Sequence, residues 1–100
     1  MNIKVVAEGE RTTVLLSGTI DIPAGESLKN TLHKIAEEGN ANEIVIDFKH
    51  VDSIGSSAIG ALLLSHKEFG AKGIIFRIIN VNKEIRALFK IIKLDKIFKI

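Results

Sequence analysis

Apolar and polar positions change their spacing several times along the chain, and each change marks an element. Ile3 to Ala7 is a short apolar segment, Glu8-Gly9-Glu10 is a turn signal, and Thr12 to Ser17 is β-branched and apolar. Together they predict an antiparallel hairpin. Gly18 and Thr19-Ile20-Asp21-Ile22 follow. Pro23 suits the first position of a helix, where a missing N–H costs nothing. Leu28, Leu32, Ile35 and Ala36 then recur at helical spacing until Gly39 ends the run. Glu43 to Phe48 is a mostly apolar strand, as a central, covered strand would be. Asp52-Ser53-Ile54-Gly55 is expected to open the next helix. Ala58, Ile59, Leu62, Leu63 and Phe69 give that helix a broad apolar face, and Gly70 and Gly73 close it. Ile74 to Ile79 is apolar on both faces except at Arg77, which predicts a second central strand. Asn82 is positioned to cap a helix over Lys83 to Lys93 with Ile85, Leu88, Phe89 and Ile92 on one face. Leu94 to Phe98 leaves room for one more short strand.

The predicted order is β-β-α-β-α-β-α. Strands alternating with helices imply parallel pairing through right-handed crossovers, with the opening hairpin adding an antiparallel edge. The expected fold is α/β: one domain over residues 1–100, a mixed and mostly parallel sheet with helices packed against it. The sequence contains no internal repeat, linker or low-complexity segment.

Composition narrows the function classes. Hydrophobic residues make up 46% of the 100 residues, enough for a core at this size. The absence of cysteine excludes disulfides, thiol nucleophiles and thiolate metal sites. The first ten residues lack a signal-peptide apolar stretch, and apolar runs such as Ile59 to Leu64 fall short of a membrane span. A cytoplasmic protein without membrane insertion is expected. The charge of +2 comes from 14 cations against 12 anions. Basic residues thicken toward the C-terminus at Lys83, Arg86, Lys90, Lys93, Lys96 and Lys99. No aromatic platform interleaves them, so they read as a solvated face and not as a nucleic-acid footprint.

Two constellations carry candidate chemistry. Asp21, Asp47 and Asp52 fall near the carboxyl ends of strands, where open α/β sheets place their ligand sites. Such carboxylates can hold Mg²⁺, or they can be caps and turn formers; with no phosphate-binding motif beside them the second reading is favoured. Ser53, expected at a helix N-terminus, can be an ordinary cap or a phosphoacceptor. At 100° per residue Ser53, Ser57, Gly60 and Leu64 share one helix face. That strip reads equally as close packing against a neighbour and as a docking surface headed by the serine. His33, His50 and His66 have no paired-ligand spacing, so no metal is expected. No nucleophile elbow or phosphate loop occurs.

On these residues the chain resembles the STAS domain of bacterial anti-sigma factor antagonists. The resemblance is carried by LLSGTID (Leu15 to Asp21), EIVIDFKHVDSIGSSAIGALL (Glu43 to Leu63) and LDKIF (Leu94 to Phe98). Gly18-Thr19-Ile20-Asp21 matches the family's Gly-x-hydrophobic-Asp element, and Asp52-Ser53-Ile54-Gly55 matches in part its Asp-Ser-Ser/Thr-Gly motif. The resemblance implies that Ser53 is the phosphorylated residue, with Asp21, Asp47, Asp52, Ile54 and Gly55 as its neighbourhood and Ser57, Gly60 and Leu64 on the partner surface. Ile54 departs from the family by replacing a second hydroxyl, and Ser56-Ser57 replaces a typical Leu-Gly.

The resemblance also implies a mechanism. The unphosphorylated antagonist binds an anti-sigma factor that is a serine kinase and so frees the sigma factor. Phosphorylation of the serine ends binding, and a serine phosphatase resets the cycle. The chain would then be a substrate and not an enzyme, and would need no cofactor. Two rivals stand beside this reading. One is a STAS scaffold subunit of a larger signalling or transporter assembly with no phosphorylation switch. The other is an Mg²⁺-dependent phosphoacceptor or enzyme built on Asp21, Asp47 and Asp52.

Overall fold

The computed structural model describes all residues, Met1–Ile100. The chain runs β1 (Asn2–Glu8), β2 (Arg11–Ile20), α1 (Ile22–Glu38), β3 (Glu43–Ile54), α2 (Ser56–Ala71), β4 (Ile75–Ile79) and α3 (Lys83–Ile91). The four strands lie in the order β1-β2-β3-β4. β1 and β2 form the antiparallel hairpin, from Asn2 opposite Ser17 to Glu8 opposite Arg11. β2 with β3 and β3 with β4 are parallel, joined through α1 and α2. The predicted element order is therefore the observed one.

Local chemistry explains most boundaries. The Asp21 carboxylate accepts a hydrogen bond from the Ala24 amide at 3.1 Å and caps α1, and Pro23 follows in the first turn. Gly39 ends α1 at φ 67°, a left-handed conformation that a Cβ would penalise. Asn82 caps α3 by accepting from the Ile85 amide at 2.8 Å.

Alternation along the strands sorts the sheet into two faces. Ile44, Ile46 and Phe48 on β3, with Val14, Leu16 and Ile20 on β2, join a single core that also takes Leu28, Leu32, Ala58, Leu62, Phe69, Ile85 and Phe89 from the helices. All three helices therefore pack on one face. The other face carries Arg11, Glu43 and Arg77. Glu43 bonds Arg11 at 2.7 Å and Arg77 at 3.3 Å, tying β2, β3 and β4 together. The Arg11 and Arg77 guanidinium groups, through these hydrogen bonds, hold the Glu43 carboxyl below the usual carboxylate range. A depressed carboxyl contributes stability above its unfolded-state pKa and loses it as pH falls through the folded-state pKa. The stability gap between wild type and Glu43→Gln is thus expected to be widest near neutral pH and to close in acid below the usual carboxylate range. Denaturant midpoints measured from pH 7 down to acid check this, and a gap independent of pH would contradict it.

Three expectations are corrected. Ile75–Ile79 is an edge strand and not a central one: Ile75 is 58% exposed, and only Ile78 is buried. Cover from α2 and the C-terminal segment on the helical side accounts for Phe76 and Ile78, while Ile75 and Ile79 lie on the opposite face with Arg77. Leu94 to Phe98 forms turns instead of a strand, because Leu94 and Phe98 anchor it into the core while the Phe98 amide bonds the Leu94 carbonyl at 3.0 Å. The third correction concerns Ser53. β3 continues through Ile54, and α2 begins only at Ser56.

Candidate functional site

The carboxyl ends of β2 and β3 meet the N-termini of all three helices, and the Asp52-Ser53-Ile54-Gly55 segment lies there. Ser53 pairs with Thr19 and Ile54 with Ile20 in the β2–β3 ladder. Two clamps fix this segment. The Gly55 amide donates to the Ile20 carbonyl at 2.9 Å. From the other side the Asn82 side-chain amide donates to the carbonyls of Val51 at 3.1 Å and Asp52 at 3.5 Å. The same asparagine thus caps α3 and holds the strand beside Ser53.

Ser53 is consequently not a helix cap. Gly55 occupies the cap position of α2, and no side chain bonds the free amides of that helix's first turn. The Ser53 hydroxyl is exposed, and its one side-chain partner is the Thr19 hydroxyl at a long 3.4 Å. It is held in position by its backbone and only weakly by its own hydrogen bond.

The acidic residues have separate partners. Asp21 caps α1. Asp47 lies opposite Leu15, four β2 positions before the Thr19–Ser53 pair. That places it on the order of 13 Å from Ser53 along the strand. Its carboxylate accepts from the Lys49 amide at 2.9 Å and from the Asn80 side-chain amide at 3.0 Å, tying β3 to the residue that follows β4. Because β3 runs on to Ile54, Asp47 lies within the strand and not near its carboxyl end as expected. Asp47 therefore falls outside the immediate surroundings of Ser53 that the motif comparison assigned to it. Asp52 is exposed and lines a shallow depression with Asn82, Lys83 and Glu84. No three His, Asp or Glu side chains are grouped so as to hold a metal ion, and Asp21, Asp47 and Asp52 are engaged or exposed separately.

The proposed strip on α2 divides in the same way. With Ser53 on a strand, the strip no longer begins at the serine. Ser57 faces α1: its hydroxyl donates to the Ile22 carbonyl at 3.2 Å. An added Cβ on Gly25 would lie 2.2 Å from the Ser57 hydroxyl and 2.8 Å from the Ala58 amide nitrogen, so only glycine permits this approach. Gly25→Ala is expected to destabilise by about 1–3 kcal/mol, as overpacking does, measurable by urea unfolding. A neutral result would mean that the two helix N-termini separate freely. Gly60 is open to solvent and Leu64 is 49% exposed. Leu64 borders a groove of about 310 Å³ between α1 and α2, shared with Lys29, Asn30 and His33. His33 closes its far side by bonding Glu68 at 2.9 Å.

Two residues of the site escaped the sequence analysis. Thr19, the hydroxyl partner of Ser53, is identifiable only from strand register. Ile22 is 70% exposed at the start of α1, and its position off the buried helical stripe is the signal that could have found it.

The family model for the STAS domain matches residues 2–100. The chain belongs to the STAS domain family. A STAS-domain containing protein of Pseudomonas aeruginosa is 26% identical over 94 residues, covering 94% of this chain and 91% of its own length. Among solved structures, an anti-sigma factor antagonist from Mycobacterium paratuberculosis is 23% identical with a TM-score of 0.86, over 97% of this chain and 81% of that one. The Bacillus cell fate determinant SpoIIAA in its phosphorylated form is 20% identical with a TM-score of 0.78, over 95% of this chain and 86% of that one. These likenesses confirm the STAS fold. No helix of this STAS domain is long and apolar enough to cross a membrane.

Proposed function

We propose that this STAS domain is a cytoplasmic anti-sigma factor antagonist, switched off by phosphorylation of Ser53. The observation that carries the proposal is the state of that hydroxyl. It is exposed, weakly bonded, and mounted on a strand end clamped by Gly55 and Asn82. A kinase can reach it without unfolding any element. Apolar Ile22 and Leu64 are exposed on α1 and α2, as desolvating anchors of a partner surface would be.

In the unphosphorylated state the surface binds an anti-sigma factor with serine kinase activity, releasing the sigma factor. The kinase then transfers the γ-phosphoryl group of ATP to the Ser53 oxygen. The oxygen–phosphorus bond forms as the bond to the ADP leaving group breaks, and the hydroxyl proton passes to a base of the kinase. The phosphoserine carries roughly −1.5 to −2 charge. It lies beside Asp52 on a surface that had accepted a neutral hydroxyl, and binding is lost. A serine phosphatase hydrolyses the ester and restores the binding form. The chain acts as substrate and binding partner and performs no catalysis.

Calorimetric titration with an anti-sigma factor kinase of the source organism tests the docking surface. Leu64→Glu is expected to weaken binding about ten-fold, which is 1.4 kcal/mol, with the unfolding midpoint unchanged. A loss of several kcal/mol in stability would make Leu64 a core residue instead. Failure of the wild type to bind, together with co-purification in a multisubunit assembly, would favour the scaffold role.

A further inference from the structure

We propose that the outer edge of β4 is a strand-addition site for an extended, acidic segment of a partner protein. β4 is the last strand of the sheet, and its inner side is occupied by β3. The Ile75 amide faces that side and donates to the Asn42 carbonyl at 3.0 Å. By strand alternation Phe76 and Ile78 turn their N–H and C=O groups to the outer side. The neighbouring C-terminal segment does not pair with them, because it satisfies its own backbone: Phe98 bonds Leu94, Lys99 bonds Lys96, and Ile100 bonds Asp95. Between the segment and the strand lies a cavity of about 470 Å³, bordered by Ile74 to Ile78 and by His66, Ile97, Phe98 and Lys99.

An unpaired apolar edge of this kind is usually blunted by lysine, proline or a bulge. Ile75–Ile79 has no lysine, proline or bulge, and its only charge is Arg77. Main-chain pairing supplies the affinity of a strand-addition site, and side-chain positions on alternate residues supply its specificity. On the helical side the cavity offers apolar walls at Ile97 and Phe98. On the open face Arg77 and Ile75 flank the edge, and Lys99 in the cavity lining adds a second cation. No acidic residue lines the cavity. Arg77 gives one bond to Glu43, whose other oxygen is held by Arg11, so further guanidinium donors remain available. The matching ligand is an extended peptide with apolar and acidic residues in alternation.

A second copy of this chain fits less well. Antiparallel self-pairing about the centre of the five-residue strand puts Arg77 opposite its own counterpart, and like charges directly opposed are destabilising. The proposal is independent of the role of Ser53.

The test uses the full chain and a fluorescein-labelled heptapeptide of alternating glutamate and valine. Saturable binding is expected, with slowed amide exchange at Phe76 and Ile78 and little change at Ile75, Arg77 and Ile79, which already face β3. Arg77→Glu is expected to weaken binding at least about ten-fold and to favour the corresponding lysine–valine peptide. Lys99→Glu should act in the same direction without touching the Glu43 bridge. Absence of binding, or binding that leaves the Phe76 and Ile78 amides unchanged, would overturn the proposal. Protection of those amides that grows with protein concentration in the absence of peptide would also overturn it, and would make a second copy the occupant.

Discussion

Phe89→Ala is expected to cost about 3–5 kcal/mol, the range for removing a buried phenylalanine and leaving a cavity. Phe89 is fully buried, with its ring centroid 6.5 Å from Phe48 and 5.7 Å from Phe98. α3 has nine residues, and Ile85 and Phe89 are its buried ones. A helix of that length is marginal alone and depends on its docked face. Against a typical total stability of about 5–15 kcal/mol, the loss is large. Urea unfolding followed by far-ultraviolet circular dichroism measures it. A cost below about 1 kcal/mol would show that α3 is held by something other than this ring. The consequence reaches the site, because Asn82 at the head of α3 clamps the carbonyls of Val51 and Asp52. Faster amide exchange is therefore expected in Val51 to Gly55 of the variant.

Ser53→Asp is expected to bind the anti-sigma kinase about 100-fold more weakly than wild type, or roughly 2.7 kcal/mol. The cause is desolvation. A carboxylate beside Asp52 would have to enter an interface shaped for a neutral hydroxyl, and an unpaired charge buried there costs several kcal/mol. The free protein should tolerate the substitution. Ser53 caps no helix, and the uncapped N-terminus of α2 lies two residues downstream, where a negative charge is favoured by about 0.3–1 kcal/mol. Ser53→Ala should accordingly stay within about 0.5 kcal/mol of wild type in stability and still bind. Isothermal titration of the three proteins separates these outcomes. Equal affinity for wild type and Ser53→Asp would contradict the switch and favour the scaffold role.

The elements whose boundaries rest on local chemistry were legible in the sequence. Gly9 marked the hairpin, Pro23 and Gly39 bracketed α1, and Asn82 announced α3. What local chemistry does not specify was misread. Ile75–Ile79 has the composition of a central strand, yet sheet order depends on which side each crossover returns to, and here each new strand adds outside the last. The Ser53 segment has the composition of a helix cap. In the folded chain Val51 to Ile54 extend the β2 ladder past two register irregularities, at Leu15/Ser17 and Gly18/Thr19. Those irregularities delay the start of α2 and bring Thr19 to Ser53. They also leave Asp47, an apparent neighbour by motif, four ladder positions away. Helical spacing left Ser57 open between packing and docking, because it fixes a direction and not the element that lies there; α1 lies there.

The most direct test of the central claim is site mapping by mass spectrometry after incubation with the anti-sigma kinase and ATP. The account predicts one phosphate, located on Ser53 and absent from Ser53→Ala. Phosphate on Ser56 or Ser57 with Ser53 unmodified, or no phosphate from a kinase that binds the chain, would contradict it.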